Sequence, residues 1–201
     1  TSAGHDGISI NTTDAKANTG DRSMPVMHPS MVLLAKRELN GSGLVRKGEP
    51  VSASLWEFST MTSDPGAPRQ PIHPDTSWTP RAILYTVFVA LQDIDADMGP
   101  TLFLPGTHTK AAHEKFFSND ADERRCFLEH EVVYCTSLLR RGDVQIMDSR
   151  ILHAGLDNHS NDRRRTLFYF TIKNPACCAE DFVGVPSGSK WPDIDVKLED
   201  F

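Results

Sequence analysis

The sequence lacks the features that would assign it to several large classes of protein. None of its apolar runs approaches the roughly 18 residues that a membrane-spanning helix needs, so a membrane protein is not expected. It has no surplus of positive charge, since 21 Lys and Arg stand against 27 Asp and Glu for a net charge of −6, which argues against a nucleic-acid partner. No phosphate loop, dinucleotide fingerprint or internal repeat is visible either.

Cysteine is scarce and follows no metal-binding or redox pattern. The four cysteines, which form no Cys-x-x-Cys pair, are Cys126, Cys135, Cys177 and Cys178. A chain of 201 residues can bury a core without disulfides, and its first residues do not resemble a signal peptide with a basic start and an apolar centre. We therefore expect a single domain over residues 1–201 in a reducing, intracellular compartment, the cytoplasm.

Composition divides the chain into three parts. Residues 1–29 are rich in Thr, Ser, Gly, Asp and Asn and predict an irregular N-terminal arm. A short helix follows over residues 30–39, where Ser30 can cap its start. Residues 51–174 carry the regular elements of the predicted core, and residues 177–201 predict an acidic, loop-like tail.

The core region consists of short strand-like runs separated by turn signals. These runs cover residues 51–58, 82–91, 101–104, 131–137, 144–147 and 163–172, and the apolar run at 82–91 predicts a central strand. Residues 59–80 contain five prolines and predict a long loop, while residues 110–125 predict a surface helix or insertion anchored by Phe116 and Phe117. The pattern favours an all-β jelly roll with a few peripheral helices.

Candidate site residues lie on the stretch 142–172, where two apolar runs are joined by a polar turn. The first run ends at His153, and the second begins at the triplet Arg163, Arg164 and Arg165. An imidazole and a guanidinium are thereby placed on neighbouring strands. A divalent metal ion accepts a neutral imidazole ligand, and a guanidinium binds a carboxylate through two parallel hydrogen bonds.

A second histidine stands in the step His73-Pro74-Asp75. Positions i and i+2 of an extended segment share a face, so both side chains can reach one ion. Two histidines and one carboxylate form the facial triad of non-haem Fe(II) oxygenases. An arginine 11 residues after His153, at Arg164, makes this hypothesis more specific, because 2-oxoglutarate needs a cation for its distal carboxylate.

Three blocks together resemble the phytanoyl-CoA dioxygenase family of Fe(II)/2-oxoglutarate oxygenases. They are the His73-Pro74-Asp75 step, the stretch from Val87 to His108 that includes Gly99-Pro100 and Pro105-Gly106, and the stretch from Gly142 through His153 and Asn158 to Arg164. The resemblance covers about residues 51–174. It implies a double-stranded β-helix, the cupin-like form of the jelly roll.

The resemblance also implies a set of residue roles. His73, Asp75 and His153 would bind Fe(II), and Arg164 would bind 2-oxoglutarate, with Arg163 and Arg165 competing for that role. If Arg164 faces inward, Thr166 and Phe168 share its face. Phe88 and Gly155 would border the cosubstrate. The reaction implied is hydroxylation of a small molecule by O2 with release of succinate and CO2.

Two other functions stay open on the sequence. A cupin-like metal isomerase or hydrolase would use the same jelly roll without 2-oxoglutarate, and a binding module would keep the fold without turnover. Pro74 stands inside the metal-binding step where relatives often have a polar residue, so substrate recognition is open as well. The aromatic residues Trp56, Phe58, Trp78 and Tyr85 are assigned to the core, with a place beside the substrate as the alternative.

Overall fold

The computed structural model describes residues 55–185. Seven strands run through this part of the chain: β1 Leu55–Ser63, β2 Leu84–Ala90, β3 Thr101–Phe103, β4 Cys135–Ser137, β5 Val144–Asp148, β6 His153–Gly155 and β7 Arg165–Lys173. The helices are α1 Lys110–Phe116 and α2 Ala121–Cys126, followed by the π-helical turn Phe127–Glu131 and later by the 3₁₀ turn Ala179–Phe182. In the described part, no helix is long and apolar enough to cross a membrane.

The strands form two antiparallel sheets. The larger sheet has the order β1-β7-β2-β5, and the smaller has the order β4-β3-β6. Strand β2 is internal to the larger sheet, which confirms the predicted central strand and explains its apolar residues on both faces. The predicted all-β core with peripheral helices is therefore what the described residues form.

The hydrophobic core lies between the sheets. One buried cluster contains Phe88, Met147 and Leu167 from the larger sheet together with Phe103 from the smaller sheet. A second cluster packs the helical segment against the smaller sheet through Ala112, Phe127, Leu128, Leu104 and Leu152. The first cluster thus packs the smaller sheet against the larger one, and the second packs the helices against the other side of the smaller sheet.

The first strand differs from its predicted bounds. Sequence patterning ended the strand at residue 58 and predicted a loop from residue 59, but β1 continues to Ser63. It continues because Ser59 to Ser63 pair with β7, in a register that joins Ser59 to Tyr169 and Ser63 to Arg165. Pairing with a partner distant in sequence overrides the weak local pattern. The long loop is correspondingly shorter and begins after Ser63.

The predicted surface element at residues 110–125 is two short helices. Thr109 caps α1 by accepting a hydrogen bond from the Ala112 amide, and Asp120 caps α2. Phe116 packs against the second core cluster as predicted, but the prediction for Phe117 was wrong, since this residue is 59% exposed. The predicted strand at residues 131–137 is confined to Cys135–Ser137 because the π-helical turn extends to Glu131.

The ends of the chain fall largely outside the described residues. The predicted arm at residues 1–29 and the predicted helix at residues 30–39 lie there entirely. The predicted tail is described as far as Val185 and contains the 3₁₀ turn Ala179–Phe182. This turn returns to β1, where Phe182 stacks on Trp56 with ring centroids 5.4 Å apart.

Candidate active site

The structure brings His73, Asp75 and His153 together at one point. Their ligand atoms all lie within 4.8 Å of one another. The Nε2 atom of His153 lies 3.6 Å from Oδ1 of Asp75, and that of His73 lies 3.9 Å from the same oxygen. Two imidazoles and one carboxylate are the donor set of a mononuclear metal site that leaves the remaining coordination positions open.

Main-chain hydrogen bonds position these three side chains. His73 and His153 form an antiparallel bridge in which each amide donates to the other's carbonyl, at 3.0 and 2.9 Å. The Asp75 amide donates to the Ser149 carbonyl at 2.9 Å. The loop that carries the His-x-Asp step is therefore attached to β6 and to the end of β5.

Hydrogen bonds also fix the tautomer of both imidazoles. The Nδ1 atom of His73 lies 2.8 Å from the Pro71 carbonyl, and that of His153 lies 3.0 Å from the Ile151 carbonyl. A carbonyl oxygen only accepts, so the proton of each neutral ring is on Nδ1. Both Nε2 lone pairs are then left for a metal ion, as in metal sites whose histidines are oriented by an outer hydrogen bond.

Burial favours the metal-binding form of His153. Its side chain is only 8% exposed, whereas those of His73 and Asp75 are 40% and 38% exposed. Desolvation lowers the pKa of His153, against the opposing effect of the nearby Asp75 carboxylate. The neutral ring, which is the form that binds metal, therefore predominates at neutral pH.

The triad lies on the wall of a cavity of about 220 Å³. The inner face of the larger sheet forms one side, and the loop after β1 together with β3 and β6 forms the other. Residues of the larger sheet that line the cavity are Trp56, Glu57, Met61, Leu84, Thr86, Phe88, Tyr169 and Thr171. Phe88 thus borders the cavity and is itself a buried residue.

Arg165 is the arginine of the triplet that the structure places inside the protein. Its side chain is buried, and one terminal nitrogen, Nη1, donates to the carbonyl of Gly99. Its Nη2 lies 4.0 Å from the sulfur of Met61, a weak acceptor that lines the cavity. Its Nε is buried and has no hydrogen-bond partner among the described residues, and desolvation lowers the pKa of Arg165. A guanidinium with unused donors is a site for an anion.

The structure places Arg163 and Arg164 at the surface. Arg164 forms an ion pair with Asp64, and its side chain is 63% exposed. Arg163 pairs with Asp95 at 2.5 Å and with Asp97 at 2.6 Å. The inward side chains of β7 are those of Arg165, Leu167, Tyr169 and Thr171, so the predicted inner face of Arg164, Thr166 and Phe168 is offset by one residue.

Gly155 and Gln70 lie between Arg165 and the triad. The Gly155 amide donates to Oε1 of Gln70 at 2.9 Å, and the Gln70 amide donates to the Gly155 carbonyl at 2.8 Å. A Cβ on Gly155 would lie 3.0 Å from Gln70 Oε1 and 3.5 Å from Arg165 Nη2. Absence of a side chain at Gly155 therefore leaves room for the two polar groups beside it.

A hydrogen-bonded pair lies farther along the same face of β7. The Tyr169 hydroxyl donates to Oε1 of Glu57 at 2.6 Å, and both residues line the cavity. Burial, followed by the bond to Glu57, raises the pKa of Tyr169 to about 12. The phenol therefore remains a neutral donor across the physiological range.

Aromatic side chains border the end of the cavity beyond this pair. Trp56 lines the cavity and stacks on Phe182, and Nζ of Lys173 lies 5.1 Å from the Trp56 ring centroid and 5.5 Å from that of Phe182. Val185, the last described residue, also lines the cavity. Trp56 therefore lines the cavity, which was the alternative to its predicted place in the core.

Sequence reasoning missed Glu57, Gln70 and Tyr169 as cavity residues. Glu57 and Tyr169 belong to strands whose inward faces could be found only from the pairing of β1 with β7. Gln70 lies in a proline-rich loop with no periodicity, so only its position three residues before His73 could have pointed to it.

The two-sheet fold and this donor set define a class of protein, the jelly-roll proteins with a facial His-Asp-His metal site. The family model for phytanoyl-CoA dioxygenase (PhyH) matches residues 10–166, and the chain belongs to this family. This confirms the resemblance drawn from the three sequence blocks.

One curated protein that the chain resembles is the dioxygenase cnsJ of Penicillium expansum. The two are 33% identical over an alignment of 116 residues, and the match covers 52% of this chain and 32% of that protein. The chain therefore spans only about a third of the length of this relative.

Solved structures show the same fold at low sequence identity. AviO1 from Streptomyces viridochromogenes superposes with a TM-score of 0.54 at 17% identity, covering 76% of this chain and 60% of that one. The non-haem α-ketoglutarate-dependent carbocyclase SnoK gives 0.52 at 19%, covering 72% and 57%. The epimerase SnoN, solved with Fe³⁺, α-ketoglutarate and nogalamycin RO, gives 0.51 at 19%, covering 85% and 68%. These likenesses confirm the predicted jelly roll.

Proposed function

We propose that this chain forms the catalytic core of an Fe(II)/2-oxoglutarate-dependent dioxygenase that hydroxylates a small molecule and releases succinate and CO2. The observation that carries the proposal is the pairing of a preformed His73, Asp75 and His153 donor set with the buried, underused guanidinium of Arg165. A metal site alone fits many reactions. A metal site with a buried guanidinium nearby, behind the cavity residue Met61, fits an anionic cosubstrate that chelates the metal.

The donor atoms suit Fe(II). Nε2 of each histidine and Oδ1 of Asp75 would hold the ion, leaving positions open for the cosubstrate and O2. Iron bound there would supply the redox centre at which O2 is activated while 2-oxoglutarate is decarboxylated. The chain's own part is to hold these three atoms in place through the His73 and His153 bridge and to limit water around the more buried His153.

We assign the cosubstrate anchor to Arg165 rather than to Arg164. Arg165 faces the interior beside Gly155 and Met61, and its Nε has no partner among the described residues, so it can bind a carboxylate with little rearrangement. Arg164 is held at the surface by Asp64. Gln70, which is hydrogen-bonded to Gly155, lines the same end of the cavity, and Phe88 borders it from the opposite sheet.

Anaerobic titration of the protein with Fe(II) and then 2-oxoglutarate tests this proposal. Bidentate chelation of Fe(II) by 2-oxoglutarate gives a weak visible charge-transfer band, and we expect that band in the wild type. Arg165→Met should weaken 2-oxoglutarate binding by about 10- to 100-fold, because hydrogen bonds to charged groups contribute roughly 1.5–3 kcal/mol. Arg165→Lys keeps the charge and should lose less.

Arg164→Met is the matched control, since it changes the adjacent residue by the same chemistry and should leave the titration unchanged. Iron binding without the band would favour the cupin-like metalloenzyme, and absence of both would favour a binding module. Loss of cosubstrate binding in Arg164→Met but not in Arg165→Met would show that Arg164, rather than Arg165, binds 2-oxoglutarate.

A further inference from the structure

Met61 lies between the cavity and the buried guanidinium of Arg165. It is on β1, directly opposite Leu167 of β7, so its side chain shares the inner face of the larger sheet with Leu167 and Arg165. Met61 lines the cavity and is partly exposed, and its sulfur lies 4.0 Å from Nη2 of Arg165. A reagent that enters the cavity can therefore meet a sulfur that is already in contact with the guanidinium.

The contact with Met61 leaves the guanidinium short of acceptors. Nη1 of Arg165 donates to the carbonyl of Gly99, but Nε has no hydrogen-bond partner among the described residues. The acceptor for Nη2 is the thioether sulfur, which is a weak one. Buried donors without good acceptors cost free energy, so an oxygen on the Met61 sulfur would gain hydrogen bonds that the sulfur does not make.

We propose that Met61 is a site of reversible oxidation by peroxides, and that its sulfoxide oxygen binds Arg165 and excludes a carboxylate from it. The sulfur lone pair attacks one peroxide oxygen, so that an S–O bond forms and the O–O bond breaks. The sulfur is oxidised by two electrons, and the second oxygen leaves as hydroxide and takes the proton of the first to become water. Methionine sulfoxide reductases reverse this modification.

The distance between the two residues suits a sulfoxide. A sulfur 4.0 Å from Nη2 leaves room for one oxygen, because N–H···O hydrogen bonds span about 2.7–3.2 Å. In the proposed function the carboxylate of 2-oxoglutarate needs the same donors of Arg165, so the oxidised protein should bind this cosubstrate more weakly. That consequence rests on the proposed function, whereas the oxidation of Met61 and its bond to Arg165 do not.

Two other methionines in the described part of the chain are internal references for the oxidation itself. Met98 and Met147 are 1% and 2% exposed, whereas Met61 opens onto the cavity. The metal-free protein is treated with hydrogen peroxide, and mass spectrometry of its peptides measures the gain of one oxygen at each methionine. Because close packing keeps peroxide from the buried sulfurs, we expect Met61 to oxidise at least about tenfold faster than either reference.

The second measurement is cosubstrate binding by the oxidised protein. After peroxide is removed and the cysteines are reduced, the protein is titrated anaerobically with Fe(II) and then 2-oxoglutarate. We expect the 2-oxoglutarate affinity to fall at least about tenfold and to return after treatment with methionine sulfoxide reductases. Met61→Leu is the matched control, since leucine has a similar volume and no sulfur, and its affinity should be the same before and after peroxide.

A third measurement tests the bond to Arg165 without metal or cosubstrate. A sulfoxide in a partly buried position lowers the melting temperature most when its oxygen has no donor. Peroxide should therefore lower the melting temperature of Arg165→Leu by several degrees more than that of the wild type. The double variant Met61→Leu/Arg165→Leu shows how much of this loss comes from other residues.

The inference is overturned if Met61 oxidises no faster than Met98 and Met147. It is also overturned if complete oxidation of Met61 leaves the 2-oxoglutarate affinity unchanged, or if Met61→Leu loses as much affinity as the wild type. A charge-transfer band that is absent from the untreated wild type would instead contradict the proposed function. The oxidation rates and melting temperatures then decide the inference alone, and equal losses in the wild type and Arg165→Leu would overturn it.

Discussion

His73 and His153 donate backbone hydrogen bonds to each other, at 3.0 and 2.9 Å, and so hold their imidazole centroids 4.5 Å apart. These two main-chain bonds connect the segments that carry the two rings. Residues directly opposite in an antiparallel pair place their side chains on the same face. We therefore expect metal binding to a site that is already formed, in contrast to sites that fold only when metal is present.

Asp75→Ala should weaken metal binding while the fold remains. The carboxylate supplies the only anionic donor of the triad, so Fe(II) or Co(II) affinity should fall at least about tenfold, a loss typical even of outer-shell partners. The Asp75 amide still donates to the Ser149 carbonyl, so the melting temperature of the metal-free protein should change little. Metal titration and thermal unfolding measure the two effects.

Asp122→Ala is the control for that experiment, since Asp122 lies on α2 with a side chain that is 81% exposed. It should leave metal affinity at the wild-type level. Equal metal affinity in Asp75→Ala and Asp122→Ala would remove Asp75 from the ligand set.

Asn158→Asp should destabilise the protein, because Asn158 is buried and uses its whole carboxamide. Its Nδ2 donates to the carbonyls of Ser63 and Arg163, each at 2.9 Å, and its Oδ1 accepts from the amide and hydroxyl of Ser160. Aspartate has the same shape but lacks the two donors and adds a buried charge. We expect the free energy of unfolding to fall by about 3 kcal/mol, measured by urea denaturation.

Asn119→Asp makes the same change at an exposed position and should cost little. Because Asn158 joins the end of β1 to the turn before β7, we also expect its aspartate variant to bind 2-oxoglutarate less well through displacement of Arg165. A loss of stability no larger than that of Asn119→Asp would show that these four hydrogen bonds contribute little.

Tyr169→Phe should lower the free energy of unfolding by an amount that depends on pH, because the pKa of Tyr169 is raised in the folded protein. The pKa of Tyr169 is raised to about 12 in the folded protein, above the usual value near 10. The neutral phenol is therefore favoured by folding, so its contribution is complete below pH 10 and is lost as the pH rises from 10 through 12. Urea denaturation of both proteins should show a difference at pH 8 that shrinks across that window.

Absorbance titration gives an independent check, because the chain has three tyrosines. The last phenolate to form in the wild type should be missing from Tyr169→Phe. A stability difference that stays constant from pH 8 to 12 would contradict the assignment, since a purely steric role of the hydroxyl does not titrate.

The metal-binding residues of the site could be predicted from local patterns in the sequence. The His73-Pro74-Asp75 step places two donors on one face of an extended segment. These are local relationships, so the sequence was sufficient to name the three residues that the structure brings together. His153 was predicted to end the strand at 144–147, beside the strand of the arginine triplet, and this part of the prediction was wrong: β5 ends at Asp148, and His153 begins the separate strand β6 in the smaller sheet, opposite β7. The short strand-like runs separated by turn signals likewise predicted the jelly roll, and the resemblance carried by the family blocks implied the same fold.

Which of Arg163, Arg164 and Arg165 is buried was decided by tertiary structure. A strand turns successive side chains to opposite faces, so an error of one residue in the starting point exchanges the inner and outer sets. The starting point follows from the pairing of Ser63 with Arg165, and that pairing depends on Asn158 and on the extension of β1 past its predicted end. None of these is visible in the triplet itself.

By itself, the sequence determined the three residues that can hold a metal ion, most strands of the core and the family to which the chain belongs. Tertiary structure alone decided which guanidinium is buried without a full set of partners and which carboxylate, Glu57, shares the cavity with the triad. The physical reason is that burial and strand register arise from contacts between segments distant in the chain, whereas spacing and turn chemistry are properties of neighbouring residues.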